Sequence, residues 1–311
     1  MSSVIITGGA GFIGSALARR LLDRGDEVVI LDNLSTGSEA NIPKGASFIM
    51  GDVSNPASLA RLPAAPSAVF HLAAQSSGEA SFDDPLVDFR TNVGGTFLLL
   101  QWSMANGARR FVYTSSMSVY GEHAGPGPVV ETDQPMPRSY YGAAKLASEV
   151  YVGLFNRLGL ETTVFRPFSV YGPGQNMANR KQGMVSIYLS YLLEDAPLVV
   201  KGERDRFRDH VNVADVVDAF LLSLASESAC GQTYNLGTGI GTSVGTLIEK
   251  LLRYTGKKAD YPVVQAGPTP GDTRGCVADI GRIKRDLGWI PRTPLDQGLL
   301  EMIGFHMKNG A

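Results

Sequence analysis

Short apolar runs alternate with longer segments of helical period through the first half of the chain. Val4–Thr7, Glu27–Leu31, Ser47–Met50, Ala68–Leu72, Arg110–Thr114 and Thr162–Arg166 read as strands. They are rich in Val, Ile and Phe, and several lack strict alternation, which suits strands buried on both faces of a parallel sheet. Between them, Phe12–Asp23, Leu86–Asn106 and Tyr140–Leu158 read as helices. In Asp83-Asp84-Pro85, the proline sits where a first helical residue is expected. Strand alternating with helix predicts an α/β fold with a doubly wound parallel sheet.

The texture changes after Arg166. Pro167, Gly172, Pro173 and Gly174 mark an irregular stretch, and Met184–Leu193 reads as a helix. Val211–Ala225 and Gln232–Leu236 look like a return to the sheet. The tail from Ser243 is expected to hold two or three helices around a loop rich in Pro and Gly, Pro262–Thr273.

Composition narrows the class. The 311 residues are 44% hydrophobic, enough for a large core, and the net charge of −2 gives no basic face for nucleic acid or a membrane surface. No run approaches the roughly 20 apolar residues of a membrane span. The N-terminus lacks a basic segment followed by an apolar one, so no secretory leader is expected. Cys230 and Cys276 lie far apart and outside CxxC spacing, which fits two reduced thiols in the cytoplasm. His71, His123, His210 and His306 show no ligand spacing, and no metal is expected; His71 reads as a packed core residue.

The chemistry begins at Gly8-Gly9-Ala10-Gly11-Phe12-Ile13-Gly14, which follows the first strand and opens the first helix. It satisfies both GxGxxG (Gly9, Gly11, Gly14) and GxxGxxG (Gly8, Gly11, Gly14). Glycines there permit a tight turn and close backbone approach, and the helix N-terminus offers free N–H groups to a pyrophosphate. Asp32 ends the second strand, 18 positions after Gly14. A carboxylate there accepts from ribose hydroxyls and repels a 2′-phosphate, which selects NAD over NADP. Residues 1–166, joined by 209–240, are therefore expected to form an NAD-binding Rossmann domain, with a discontinuous substrate-binding cap from 167–208 and 241–311.

Tyr141 and Lys145 form a YxxxK pair that one helix face would bring together. Lys145 would favour the Tyr141 phenolate and make it a usable base. Tyr254 and Lys258 share the spacing, but Gly256 intervenes and no hydroxyl-rich strand end precedes them, so that pair reads as surface. Upstream of the first pair, strand Arg110–Thr114 runs into Ser115-Ser116-Met117-Ser118, at the strand end where open α/β sheets place ligands. Ser116 is the expected donor to a substrate oxygen.

TGGAGFIG, LDN, GDV, HLAA, SSMSVYG, YGAAK, RPFSVYGPGQ, RFRDHVNVAD and a PGD loop occur in order over nearly the whole chain. In this the chain resembles the extended short-chain dehydrogenase/reductase family, and within it the UDP-hexose 4-epimerases. The resemblance implies tightly held NAD, a UDP-sugar substrate, a transient 4-keto sugar and a homodimer built through the helices around 86–106 and 140–158. It implies cofactor contacts at Phe12, Ile13, Asp32, Asn33, Asp52 and Val53, and at Leu72, Ala73, Ala74, Asn92 and Phe168. Substrate positions by the same likeness are Ser169, Gly183, Met184, Val185, Val199 and Lys201, with Arg208 and Asp272 toward the diphosphate.

Departures from the family pattern carry their own expectations. Ser169 stands where the family has an Asn that contacts the diphosphate, and Thr269 where it has an Arg; Arg206 is expected to compensate. Asn176 replaces the Arg of UDP-glucuronate epimerases, which disfavours a uronic acid. Cys276 matches a gate position over the sugar 2-substituent, where a small residue makes room for N-acetyl sugars; the alternative is a buried cap cysteine. Ser118 stands where 4,6-dehydratases and decarboxylases carry an acid, and Glu122 lies past it. Those enzymes, a simple reductase and a catalytically silent NAD-binding sensor are the competing readings.

Overall fold

A computed structural model of the chain describes residues 3–122 and 127–309; His123 lies outside them. Six strands, β1 (Ser3–Thr7), β2 (Glu27–Asp32), β3 (Ser47–Met50), β4 (Ala68–His71), β5 (Arg110–Thr114) and β6 (Glu161–Pro167), lie in one parallel sheet. After β6 come β7 (Ser169–Tyr171), β8 (Leu198–Lys201), β9 (Phe207–Asn212) and β10 (Gln232–Leu236). The large sheet runs β10-β6-β5-β4-β1-β2-β3, so the chain reverses its direction of progress between β1 and β4. A crevice opens at the carboxyl ends of the strands at such a reversal. β1, β4 and β5 are buried throughout, which is why their sequences are near-continuous apolar runs.

Helix α1 (Phe12–Asp23) buries Leu17, Ala18 and Leu21 against the sheet. The short α2 (Pro56–Leu59) follows β3. The single helix expected over Leu86–Asn106 is three joined pieces: α3 (Pro85–Phe89), a π-helical stretch at Arg90–Gly95, and α4 (Thr96–Ala105). Asp84 caps α3 by accepting from the Val87 amide at 3.0 Å, with Pro85 in the first turn. In the widened turn the Asn92 carbonyl accepts from the Thr96 hydroxyl at 2.5 Å and the Ser148 hydroxyl at 2.8 Å. Side-chain bonds of this kind satisfy the looser backbone of a π turn, and apolar spacing does not signal them. Ser148 belongs to α5 (Tyr140–Arg157), capped by Ser139.

The cap side holds α6 (Met184–Leu193), α8 (Val244–Tyr254) and α10 (Leu295–Asn309) around a second apolar core with Leu198 and Val200 of β8. The expectation for Val211–Ala225 is corrected. Only Gln232–Leu236 joins the large sheet, while Val213–Ala225 is helix α7, capped by Asn212. Val213, Val216, Val217 and Phe220 follow the helical period, which overrides the β-branched character of the three valines. β11 (Gly241–Ser243) and β7 flank β9 in a three-stranded sheet. β12 (Val263–Ala266) pairs with β8, inside the stretch read as a loop. Ile283 of α9 (Gly281–Leu287) and Trp289 are buried among residues of the large sheet, although sequence placed them in the cap. Among the described residues, no helix is long and apolar enough to cross a membrane.

Candidate active site

A cavity of about 750 Å³ opens along the carboxyl ends of β1, β2, β4 and β5 and continues under the cap. Its floor is the glycine turn. Gly8 has φ +75°, and a Cβ there would lie 2.6 Å from the Ala73 nitrogen; a Cβ on Gly14 would strike the Gly8 carbonyl. Gly8, Gly11 and Gly14 line the cavity, whereas Gly9 faces Ile30. Of the two overlapping glycine patterns, GxxGxxG is the one that meets the cavity. Gly11 caps α1 with no side chain accepting from its first turn, which leaves those N–H groups for a ligand.

The walls continue the adenosine-shaped half. Asp32, 8% exposed, accepts from the Ala10 amide at 3.0 Å and the Leu34 amide at 2.8 Å, so its carboxylate is fixed at the end of β2. Asn33 donates to Asp52 at 2.8 Å. Burial would raise the Asp52 carboxyl, but bonds from Ser54 and Asn33 outweigh it and hold it below its ordinary value. Phe12, Ile13, Val53, Leu72, Ala73, Ala74 and Phe168 also line the cavity. Asn92 does not: it stands behind the wall, 1% exposed, donating to the Gln75 carbonyl at 2.9 Å and to Asp88 at 3.1 Å. A glycine cradle that a Cβ would fill, an open helix N-terminus and a fixed carboxylate together fit a dinucleotide such as NAD.

Beyond this half, Ser116, Tyr141 and Lys145 meet in one wall. Ser116 caps a short turn at the end of β5 and is 3.1 Å from both the Ser118 amide and its hydroxyl. α5 packs so closely on this turn that a Cβ at Gly142 would lie 2.5 Å from the Ser118 carbonyl. Lys145 is one helical turn after Tyr141 and donates to the Thr114 carbonyl at 2.8 Å; its Nζ lies 5.8 Å from the Tyr141 ring centroid. Burial pulls Lys145 down to about 8, with Asp88 and Glu149 acting against it. Tyr141 is pushed up to about 12 by burial, which the Ser116 hydroxyl opposes. In the chain alone, burial therefore dominates the phenol, contrary to the expectation that Lys145 sets it low.

His71 ends β4 behind this wall, bonded to the Thr7 and Thr96 hydroxyls at 2.7 and 2.9 Å. Burial and the Lys145 charge bring it to about 3, so it is a neutral core residue. Lys258 lies beyond the end of α8, so the second YxxxK does not share a helix face.

At the cap end, Ser169, Gly183, Met184, Val185, Val199, Lys201, Arg206, Arg208 and Asp272 all line the cavity. Asp272 takes both guanidiniums, Arg206 through one oxygen and Arg208 through the other at 2.8 Å. Arg206 also donates to the Lys201 and Glu203 carbonyls, so it clips the turn after β8 as well as facing the cavity. Lys201 pairs with Glu79 at 2.7 Å across the cavity mouth. Cys276 is placed otherwise than its gate reading requires. It is buried in an apolar cluster with Val119, Tyr120 and Phe168 and is absent from the cavity wall. Burial pushes its thiol up to about 11. Sequence reasoning missed Gln75, Gln175 and His210 in the wall and Asp88 behind it; His210 was visible in the RFRDHVNVAD run but lacked any ligand-like spacing. Among the described residues, no cluster of three or more His, Cys, Asp or Glu is arranged to hold a metal.

Residues 4–237 match the sequence model described as the NAD dependent epimerase/dehydratase family. A UDP-glucose 4-epimerase of Mycolicibacterium smegmatis is 37% identical over 97% of this chain and 97% of its own length. The crystal structure of a UDP-glucose 4-epimerase from Thermotoga maritima, with UDP-glucose, superposes with a TM-score of 0.94 at 37% identity, covering 98% of this chain and 99% of that one. A Thermus thermophilus UDP-glucose 4-epimerase in complex with NAD superposes at 0.92 and 33% identity, over 99% and 100% of the two chains.

Proposed function

The chain belongs to the NAD dependent epimerase/dehydratase family, and from that premise we propose that it inverts carbon 4 of a UDP-hexose, interconverting UDP-glucose and UDP-galactose. The observation that carries the reading is the meeting of Ser116, Tyr141 and Lys145 in the wall of the cavity that the glycine turn floors. When bound, NAD supplies a hydride acceptor and donor at carbon 4 and a ring charge that favours the phenolate. Tyr141 takes the proton from the 4-hydroxyl and returns it, a role suited to a phenol at hydrogen-bond distance. Ser116 donates to the same oxygen. Lys145, fixed on the Thr114 carbonyl, holds positive charge beside the phenol and orients the cofactor ribose. Arg208 anchors the diphosphate, a charge-assisted contact.

A dehydratase must also remove a proton from carbon 5 and release the 6-hydroxyl. The carboxylates among the residues lining the cavity are Asp32, Asp52, Glu79 and Asp272. None comes from the turn after β5, where Ser118 stands, and Glu122 is paired with Arg138 instead. That favours epimerisation. Conversion of UDP-galactose to UDP-glucose by purified protein without added cofactor, followed by NMR, tests it; a requirement for free NAD(P)H would contradict it.

We also propose a cytoplasmic homodimer, supported by two unpaired cysteines and by an apolar face shared by α3 and α5. Leu86, Phe89, Val150 and Leu154 are each at least 40% exposed there, a patch suited to a self-complementary two-fold contact. Val150→Glu with Leu154→Glu should sediment as a monomer; an unchanged sedimentation coefficient would reject this interface.

A further inference from the structure

A serine hydroxyl carries one proton and two lone pairs, and Ser118 meets the Ser116 hydroxyl twice. The Ser116 oxygen accepts from the Ser118 amide at 3.1 Å, and the two hydroxyl oxygens lie 3.1 Å apart. In the chain alone Ser116 is the donor of that second bond. Ser118 is half-buried and lines the same cavity as Ser116 and Tyr141. Its hydroxyl makes no other hydrogen bond among the described residues, so its own proton is free to turn.

The backbone keeps this contact in register with the phenol. Gly142 directly follows Tyr141, and a Cβ on it would lie 2.5 Å from the Ser118 carbonyl and 3.1 Å from the Pro137 side chain. The helix that carries Tyr141 therefore rests on Ser118 itself. Ser116 caps the same turn from an extended backbone, which fixes its oxygen over the Ser118 amide.

The direction of the hydroxyl bond matters to the reaction. For Tyr141 to take the 4-hydroxyl proton, that proton must point at the phenol oxygen, and the 4-oxygen must accept from Ser116. A 4-hydroxyl that donates to Ser116 instead is turned away from the base. When the Ser118 hydroxyl donates to Ser116, both Ser116 lone pairs are filled, one by an N–H and one by an O–H. Ser116 can then only donate. A donor whose own oxygen accepts is also strengthened, and it is the Ser116 hydroxyl that opposes the burial pushing Tyr141 up to about 12.

We propose that Ser118 is a positioning residue for epimerisation: with substrate bound its hydroxyl donates to Ser116, reversing the bond of the chain alone, and leaves Ser116 able only to donate to the 4-oxygen of the sugar. The inference rests on the epimerase reading above.

The test measures turnover of UDP-galactose by the NAD-loaded protein. Ser118→Ala should lower kcat about tenfold, the worth of one hydrogen bond, and leave KM unchanged. Ser118→Cys, of similar shape but a weak donor, should lose nearly as much, and it keeps the comparison open if alanine disturbs the turn. Ser118→Thr, which retains a hydroxyl, should regain most of the loss. Ser116→Ala should be slower than any of these, and adding Ser118→Ala to it should cost nothing more, because Ser118 acts only through Ser116. Unchanged kcat without the Ser118 hydroxyl, a raised KM in place of a lowered kcat, or no recovery in Ser118→Thr would overturn the proposal. So would losses that multiply in the double variant, which would place Ser118 directly on sugar or cofactor. A parent protein that does not convert UDP-galactose would instead remove the epimerase reading, and this inference with it.

Discussion

Glu149 and Arg166 face each other in a buried two-pronged ion pair, Nε to Oε1 at 2.9 Å and a terminal nitrogen to Oε2 at 2.6 Å. Ser115 donates to the same carboxylate, and Arg166 donates to the Tyr120 hydroxyl at 2.8 Å, which in turn donates to Asn235 at 2.6 Å. The network joins the ends of β5 and β6 to α5 one turn beyond Lys145. It holds Ser116 against the helix that carries Tyr141 and Lys145.

Breaking one side of such a pair strands a buried charge. Arg166→Met should cost about 3–5 kcal/mol in urea unfolding. Adding Glu149→Met to it should recover much of the loss, because two apolar chains then fill the space. A loss below about 1 kcal/mol in the single variant would show that the pair is solvated and does not fix the site.

Lys145 trades stability for chemistry. Burial lowers it from 10.5 to about 8, so between those pH values the folded chain holds fewer protons than the unfolded one. Its contribution to stability therefore rises with pH across that window. Below about pH 8 it carries its full cost of about 3 kcal/mol. Lys145→Met should abolish epimerisation by the NAD-loaded protein, yet in cofactor-free protein it should raise the melting temperature at pH 7 by a few degrees. The gain should shrink toward pH 10. A variant less stable than the parent at pH 7 would contradict this.

Much of the site was legible in sequence because its chemistry needs fixed spacing. The glycine turn, Asp32 and the Tyr141–Lys145 pair each sit at the end of an element that hydrophobic period locates. What stayed hidden depends on contacts between distant segments. Nothing in Leu86–Asn106 announces a π turn, since Asn92 widens it to meet Ser148 of another helix. Cys276 matched a gate position by motif alignment, but Val119, Tyr120 and Phe168 enclose it. His210 lacked ligand spacing because its setting comes from strands pairing across about forty residues, Ser169 with His210.

Asp32 sets cofactor choice by charge. Both its oxygens already accept backbone amides, and its fixed negative charge opposes a 2′-phosphate. Asp32→Ala should weaken NAD and bring NADP binding within reach of it, measured by titrating both into cofactor-stripped protein. Retained discrimination in the variant would move the selectivity elsewhere in the cavity.

The most direct test of the central claim follows the hydrogen on carbon 4. UDP-galactose deuterated there is incubated with the protein in ordinary water, and the product is analysed by NMR and mass spectrometry. Inversion within one cavity predicts UDP-glucose that keeps its deuterium at carbon 4. Deuterium at carbon 6 with loss of water would make the enzyme a dehydratase, and exchange of the label with solvent would contradict return of the same hydrogen.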